Sequence, residues 1–405
     1  FEKMKSMKKL VLVGFVLLAS VVVFVGCKND SVPETPKFTV TFNTDGGSAV
    51  DSQSVESGKM AIKPEDPTLE GSWFLGWYGD KDLTKEFDFT SPITNNTEVY
   101  AKWSYKFYAK YQFLPDYTSP NNTDNTWTYV AFGDWPQTIK ASEVTVDESK
   151  SKQMGMFTYY LGSDGNCYVK HNDDYYKVEP IIWRVLNKDY ATTGKALLLA
   201  EKILTGGIPY YVDMATRTIT GAGTIEEEPN TVYPNNYKYS TIRAWLNGSY
   251  ETDDIQEKNY EGKGFLQTAF TTSAQNLIEE TTVDNSKEST FGRGETGGDN
   301  PYVCTNTSDK IFLLSEQEAT TAGYGFVEYN EYGEGNTRIR VTTDYAQATG
   351  AYHSSTDGWW WLRSPYYSNE NYARLIYYGG YAYYSNVNSI EVGVVPALSI
   401  SMNGN

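Results

Sequence analysis

The chain has 405 residues, of which 15% are aromatic and 34 are Tyr, and its formal net charge is −17. This length allows two or three domains, and the aromatic content argues against low-complexity disorder. The negative charge repels phosphate backbones, so no nucleic-acid partner is expected. With only two His and three Cys, neither a metal nor a cofactor is predicted.

The first 26 residues have the pattern of a signal peptide. Lys8 and Lys9 precede an apolar run at 10–25, which is too short for a typical membrane span. The run ends at Cys27 in the sequence FVGC, which resembles a bacterial lipobox with Phe where Leu is usual. The resemblance implies cleavage before Cys27, a lipid on its sulfur and a cell-surface location at the outer membrane. An uncleaved signal anchor is the alternative.

Residues 27–37 combine Cys27 with a polar, Pro-containing linker that favours an extended chain. A small domain is predicted at 38–103, because Phe38, Val40 and Phe42 alternate with polar residues as in a half-buried strand. The segment resembles the Listeria–Bacteroides repeat of internalin-type surface proteins, which implies a β-grasp-like fold and a role as a spacer. The resemblance is carried by 39–42, 46–47, Pro64, Pro67, 76–78, 87–89 and 100–103.

Residues 104–405 are predicted to form one larger domain. Apolar runs indicate strands, and Ser240 is a predicted N-cap of a helix whose Ile242, Trp245 and Leu246 share a face. Strands and short helices together predict an α+β fold. The predicted strands are 130–138, 180–186, 196–200 and 311–315, and the predicted helices are 240–247 and 265–278. Cys167 and Cys304 either pair or remain free thiols, and their spacing decides neither.

The tail at 357–400 carries the clearest functional signal. Two apolar segments, 357–365 and 393–400, flank the stretch 366–390, in which Tyr, Asn, Ser and Gly supply 17 of 25 residues. The same residue types dominate antibody-combining loops, where Tyr gives rigid contact area and the others give adaptable hydrogen bonds. The composition favours a binding surface, and an ordinary half-buried sheet is the alternative.

Several motifs of the larger domain together resemble a bacterial family of unassigned function. They are FGDWPQT, WRVL, STIRAWLN, FLLS, WWLRSP and GVVPAL, with Val395 where Arg is common. The family is similar to the C-type lectin fold of the formylglycine-generating-enzyme subclass. The whole chain is similar to Treponema-type variable lipoproteins, whose C-terminal codons are rewritten by a diversity-generating retroelement.

That resemblance implies a fixed framework and a set of variable, solvent-facing positions. The small or apolar framework positions are Ala373, Leu375, Gly379, Ala382 and Val387. Adjacent Tyr pairs cannot all face one way in a regular strand, so part of the segment is expected to be loop or core. The predicted ligand-binding residues are Tyr366, Tyr367, Asn369, Asn371, Tyr372, Arg374, Tyr377, Tyr378, Tyr381, Tyr383, Tyr384, Asn386 and Asn388.

These observations predict a monomeric, lipid-anchored surface protein that binds a host, bacterial or phage protein or glycan. A carbohydrate-binding adhesin with a fixed site is the first alternative, and an enzyme of the formylglycine-generating or hydrolase type is the second. No catalytic residue is predicted, because the common nucleophile, phosphate-loop and zinc motifs are absent and no Cys follows Cys304. The triplet at 228–230 matches a lectin calcium motif by coincidence, and Asp357 with Arg363 is expected to form a structural ion pair.

Overall fold

The computed structural model of the chain describes residues 35–120, 127–223, 228–252, 257–292, 299–327 and 337–402. The predicted signal peptide and Cys27, the predicted site of lipidation, lie outside these ranges. Among the helices inside them, none combines the length and apolar content needed to cross a bilayer.

The N-terminal domain is a single four-stranded sheet. Its order is β2-β1-β4-β3, with β1 and β4 parallel and the other pairs antiparallel. The alternation predicted for β1 is confirmed, since Val40 and Phe42 are buried and their neighbours are not. Phe42 packs edge-on against Trp77 at 5.0 Å between ring centroids. The strands are β1 (Lys37–Asn43), β2 (Gln53–Glu56), β3 (Phe74–Tyr78) and β4 (Thr97–Trp103).

Beyond this domain, the described ranges contain many short strands and six short helices. The strands are β5 (Gln112–Phe113), β6 (Tyr129–Ile139), β7 (Val146–Met154), β8 (Phe157–Gly162), β9 (Cys167–His171), β10 (Asp174–Val185), β11 (Lys195–Ala200), β12 (Arg217–Thr218), β13 (Thr231–Val232), β14 (Tyr250–Thr252), β15 (Glu257–Asn259), β16 (Ile278–Glu279), β17 (Thr281–Val283), β18 (Thr307–Asp309), β19 (Ile311–Phe312), β20 (His353–Ser354), β21 (Asp357–Gly358), β22 (Trp360–Pro365), β23 (Tyr372–Ile376), β24 (Ala382–Asn386) and β25 (Ala397–Ser401). The helices are α1 (Tyr190–Thr193), α2 (Thr241–Asn247), α3 (Phe265–Ala269), α4 (Thr272–Gln275), α5 (Glu316–Ala319) and α6 (Asp344–Ala348), with 3₁₀ turns at Glu288–Thr290 and Ala322–Tyr324.

A ten-stranded sheet organises the larger domain. Its main path is β16-β25-β11-β10-β9-β8-β7, with β19 on β25 and with β6 pairing both β10 and β5. The predicted apolar strands occupy its centre, since Trp183 on β10 lies opposite Ala200 on β11 and both are fully buried. The last strand, β25, lies inside this sheet, where it pairs with β11, β16 and β19.

The prediction of an α+β, C-type lectin-like fold is wrong. The described residues are mostly β, with 38% strand and 10% helix, and their helices are only four to seven residues long. Such short helices cannot form a packed layer of their own. The helix expected over 265–278 is two pieces, because Phe270 has extended backbone (φ −129°, ψ 130°). The β-grasp-like prediction is also not met, since residues 35–103 contain strands and no helix.

The predicted helix at Ser240 is confirmed. The Ser240 hydroxyl accepts a hydrogen bond from the Arg243 amide at the start of α2, and Gly248 ends the helix in the left-handed conformation (φ 63°). Ile242, Trp245 and Leu246 are all buried on one face, as their spacing predicts. Local capping and periodicity were sufficient here, because each signal lies within a single turn.

A buried carboxyl ties the N-terminal domain's connecting segment to the large sheet. Asp134 on β6 is 1% exposed, and it accepts hydrogen bonds from the Tyr105 hydroxyl and from the Tyr108 amide at 2.6 Å. Burial raises the pKa of Asp134 to about 7, although both hydrogen bonds act to lower it. This carboxyl therefore changes its charge close to neutral pH.

Replacing Asp134 by Asn is expected to change how stability depends on pH. Between about pH 4 and about pH 7 the folded state holds a proton on Asp134 that the unfolded chain has released, so the wild-type free energy of unfolding falls as pH rises through this window. Asn does not titrate, so Asp134→Asn should lack this pH-dependent contribution to the free energy of unfolding. Urea unfolding of both chains at pH 4, 5.5 and 7 measures how far their pH dependences differ. If the free energy of unfolding changed with pH in the same way for both chains, Asp134 would not have the raised pKa.

A buried charge cluster lies where β10, β11 and the segment before β20 meet. Arg184 and Glu201 are both 0% exposed, and the guanidinium contacts the carboxylate through Nε at 2.9 Å and Nη2 at 2.6 Å. The Ser119 hydroxyl donates to the same carboxylate at 2.5 Å. Arg340 is also fully buried, and burial together with the charge of Arg184 lowers its pKa to about 9. Glu201 thus faces two buried guanidinium groups.

Two further predictions about individual residues have definite outcomes. Arg363 is buried, but its ion pair is with Glu318 at 2.5 Å and not with Asp357, so the predicted partner is wrong. The reason is that Glu318 belongs to the capping box of α5, which packs beside β22. Cys167 and Cys304 are free thiols, and burial raises the pKa of each.

Candidate ligand-binding surface

The predicted variable stretch folds around a three-stranded antiparallel sheet, β22-β23-β24. All six residues of β22 are buried, as predicted for the apolar segment before the stretch. A tight hairpin joins β23 to β24, closed by the Tyr377 amide donating to the Tyr381 carbonyl at 2.9 Å. Gly380 has φ +83° in this turn, a conformation that favours glycine. The sheet thus holds 366–390 between two core segments.

The five predicted framework positions are all buried. Ala373, Leu375 and Val387 are 0% exposed, Ala382 is 5% exposed, and Gly379 is buried as well. These residues fill the space between the hairpin and the core, where a larger side chain would have to displace its neighbours. Burial therefore separates the framework positions from the Tyr residues between them.

Ten aromatic residues form one connected layer over this sheet, called here the aromatic surface. The Tyr366 and Tyr384 rings stack at 4.1 Å, and Tyr384 stacks in turn on Tyr383 at 4.7 Å. The Tyr383 ring meets the edge of Tyr377 at 5.8 Å, which links the two ends of the layer. Its members are Tyr352, Trp359, Tyr366, Tyr367, Tyr372, Tyr377, Tyr378, Tyr381, Tyr383 and Tyr384.

None of the eight Tyr residues between 366 and 384 is buried, so none of them is a core residue. Tyr367 and Tyr383 are 46% and 44% exposed, and the other six are partly exposed. Two of the three adjacent Tyr pairs lie outside regular strands, where neighbouring side chains need not point to opposite faces. Tyr366–Tyr367 follows the end of β22, and Tyr377–Tyr378 follows the end of β23. Only Tyr383 and Tyr384 are neighbours within a strand.

Two phenols of this layer, those of Tyr377 and Tyr384, have raised pKa values. Burial, helped by a hydrogen bond with Tyr378, raises the pKa of Tyr377 to about 12. The nearby phenols of Tyr366 and Tyr383 raise the pKa of Tyr384. These two hydroxyls can therefore donate and accept a hydrogen bond at neutral pH without carrying charge. Tyr377 and Tyr384 thus offer neutral polar groups on rigid apolar rings.

The four predicted Asn positions divide into supporting and exposed residues. Asn369 accepts the Asn371 amide on its side chain at 2.9 Å, and its carbonyl accepts from the buried Asn235 side chain at 3.2 Å. Both residues shape the turn that leads into β23. Asn386 and Asn388 are exposed. The exposed pair can contact a ligand directly, whereas the first pair positions the loop.

Arg374 does not face solvent, so its predicted exposure is wrong. It is 4% exposed, its Nε lies 2.7 Å from the Glu316 carboxylate, and its guanidinium lies under the Tyr366 ring at 5.0 Å. Both neighbours of Arg374 on the central strand are also buried, because β23 is covered on both faces. Arg374 supports the aromatic surface from below.

Sequence reasoning missed two members of the surface. Trp359 stacks on Tyr377 at 4.9 Å, and Tyr352 packs on Trp359 at 4.4 Å. Trp359 belongs to a run of three Trp whose other two members are fully buried, and Tyr352 lies before the Tyr-rich stretch. The sequence around these two residues does not show that they are exposed and not core residues. Their exposure depends on where the hairpin of β23 and β24 lies in the folded chain.

The remaining features of the described ranges indicate neither a metal site nor a cavity at this surface. Within those ranges no group of three or more His, Cys, Asp or Glu side chains could hold a metal ion. A cavity of about 450 Å³ lies between the two domains beside Glu70 and Lys106, and another of about 440 Å³ lies beside Asn187. No residue of the aromatic surface lines either cavity.

The chain belongs to the family described as "Domain of unknown function (DUF6273)", whose profile matches residues 193–402. The profile of the Listeria-Bacteroides repeat domain matches residues 38–102, which confirms that prediction. Both the buried framework and the aromatic surface therefore lie in the part that defines the family.

Two relatives from Evansella cellulosilytica share a short segment with the chain. One, named "Putative membrane protein", is 41% identical over 73 residues, which is 18% of this chain and 11% of the relative. The other, named "Putative Gly-rich membrane protein", is 38% identical over 77 residues, which is 19% of this chain and 9% of the relative. The matched segments thus cover about a tenth of each relative.

Proposed function

We propose that this chain is a cell-surface binding protein that holds a macromolecular ligand on its aromatic surface. The observation that carries the proposal is the connected layer of ten aromatic residues, of which none between 366 and 384 is buried. Rigid aromatic side chains give large contact area at low entropic cost, and such residues dominate binding hot spots. The chain acts by binding and not by catalysis.

The rest of the chain supports presentation at a surface. The repeat domain serves as a spacer, and the lipid proposed on Cys27 holds the protein at the outer membrane. Two relatives that share a segment with this chain are named as membrane proteins, which supports this location. The ligand is a protein or glycan of a host, of another bacterium or of a phage, and the binding protein acts as a monomer.

The proposal includes diversification of the surface by a retroelement. Adenine-directed mutagenesis converts AAY codons for Asn into codons for Tyr, Ser and other residues, which matches the composition of 366–390. Substitution at exposed positions leaves the five buried framework residues unchanged, so the fold tolerates many sequences at its surface. Such a surface would change its ligand without changing its scaffold.

Deep sequencing of the 3′ end of the gene in a growing population tests the diversification. We expect substitutions to cluster between the codons of Pro365 and Ile390, at nucleotides where mutagenesis has replaced an adenine. The codons of Ala373, Leu375 and Val387 should remain unchanged. The codons of β6 in the same reads provide the background rate. An invariant stretch would exclude diversification and leave a fixed adhesin as the function.

A further inference from the structure

We infer that the free edge of β24 receives an extended polypeptide segment of the ligand as an additional strand. The inference rests on the proposed function, because it names the partner class of the same surface. Strand addition satisfies main-chain groups of an exposed edge with those of a second chain, and the side chains beside the edge give specificity. Tyr383 and Tyr384 lie on this edge strand.

The pattern of hydrogen bonds shows which main-chain groups point outward. The Tyr377 amide bonds to the Tyr381 carbonyl, and the Val387 amide bonds to the Asn371 carbonyl, so these two pairs are hydrogen-bonded across the hairpin. Hydrogen-bonded and non-hydrogen-bonded pairs alternate in an antiparallel ladder. Ala382, Tyr384 and Asn386 belong to the second kind, and their amide and carbonyl groups face away from β23.

Within the described ranges, β24 pairs only with β23, and no other strand covers its outer edge. The Asn386 carbonyl is used by the Ser389 amide at 3.0 Å. Ala382 is 5% exposed, Tyr384 is partly exposed and Asn386 is exposed. Among the outward groups, no described hydrogen bond uses the amide and carbonyl of Tyr384 or the amide of Asn386. An extended peptide presents the same groups at the matching interval.

Two other edge strands, β7 and β3, carry features that prevent strand addition, whereas β24 does not. The edge strand β7 contains Asp147, Glu148, Lys150 and Lys152 and has a register shift after Asp147. The edge strand β3 has a register shift between Phe74 and Gly76. Charges and bulges of this kind block edge-to-edge pairing. By contrast, β24 pairs in unbroken register over five residues and contains no charge, Pro or bulge.

The charge distribution leaves nothing along this edge that would oppose an incoming strand. The formal net charge of the chain is −17, yet the segment 377–390 contains no charged residue. An uncharged edge accepts a strand of the ligand without selecting for its charge. Its rings are also largely paired with one another, as in the Tyr366–Tyr384 and Tyr383–Tyr384 stacks. Few ring faces are therefore left to stack on a sugar. The outward main-chain groups of β24, by contrast, can still pair with a strand of the ligand.

Matched Pro and Ala substitutions on β24 test the inference. The probes are peptides enriched from a random dodecapeptide phage library on the soluble chain beginning at Lys28. Asn386→Pro removes the outward amide, whereas Asn386→Ala keeps it, and Pro is tolerated where the amide faces solvent. We expect Asn386→Pro to weaken peptide binding by about tenfold or more relative to Asn386→Ala, since a lost donor leaves a buried acceptor unpaired.

Tyr384→Pro and Tyr384→Ala form the second matched pair, so one misfolded variant does not decide the result. Amide hydrogen exchange gives a second measurement: bound peptide should newly protect the Tyr384 and Asn386 amides, whereas the Tyr383 and Ser385 amides are protected in the free chain. Equal weakening by Pro and Ala with no new protection, enrichment of no peptide, or binding confined to a glycan array would each overturn strand addition. The last result would leave the proposed binding function intact.

Discussion

Glu201→Ala is expected to lower the free energy of unfolding by about 3–5 kcal/mol, because it leaves two fully buried guanidinium groups without their carboxylate. Arg184 makes two bonds to Glu201, and Arg340 is held in the same buried cluster. Burial alone would raise the pKa of Glu201, but the two guanidinium charges lower it, so the carboxylate is charged in the folded state. Urea unfolding at neutral pH measures the loss.

An exposed ion pair provides the matched control for that variant. Lys170 and Glu148 lie 2.8 Å apart, with side chains that are 40% and 57% exposed. Glu148→Ala should lower the free energy of unfolding far less than Glu201→Ala does, since exposed pairs contribute little. A loss in Glu201→Ala no larger than in Glu148→Ala would show that the buried guanidinium groups find other partners.

Replacing Tyr377, Tyr378, Tyr383 and Tyr384 together by Ala is expected to abolish ligand binding while the chain still folds. The four side chains link the two ends of the aromatic surface, and none of them belongs to the buried core. Loss of central aromatic contacts in an interface typically costs more than 2 kcal/mol for each hot spot, which together exceeds about 100-fold in affinity. Screens of the wild-type and variant chains on a peptide library and a glycan array measure the loss.

The thermal unfolding transition distinguishes a binding role for these four residues from a packing role. Partly exposed aromatic pairs contribute about 0.5–1.5 kcal/mol each beyond their burial, so the transition should survive at a somewhat lower temperature. Tyr159→Ala is the opposite control, because Tyr159 is 1% exposed and lies in the main core. Loss of the transition in the four-residue variant would identify its rings as structural, and unchanged binding would exclude the aromatic surface as the site.

The sequence was informative where the deciding interactions are local. The alternation of Val40 and Phe42 located β1, and the hydroxyl of Ser240 located the start of α2, because both signals lie within a few residues. The separation of the tail's buried framework from its Tyr residues came instead from the family resemblance, which implied fixed small or apolar positions between variable ones. Reasoning from local patterns failed on fold class, because the length of each helix depends on the surrounding packing and not on the local pattern.

Long-range pairing explains the remaining errors. Arg374 lies within the Tyr-rich stretch, but its buried partner is Glu316, which belongs to a distant helix. Arg363 was paired with a nearby acid, whereas its partner Glu318 comes from the same helix. Tyr352 and Trp359 join the surface only because the hairpin of β23 and β24 folds over them. A single sequence does not show such contacts between distant segments.

The position of β25 inside the ten-stranded sheet limits which mutations in the preceding segment still give a folded protein. The segment between β22 and β25 carries the aromatic surface, and β25 follows it in the sequence. The gene must keep its reading frame through this segment, because Ala397 and Leu398 of β25 pair with β11 and β19. A frameshift or stop codon in this segment therefore removes a central strand and with it the domain. Only variants that keep the reading frame through this segment can complete the sheet, so every folded molecule comes from a gene whose frame is intact.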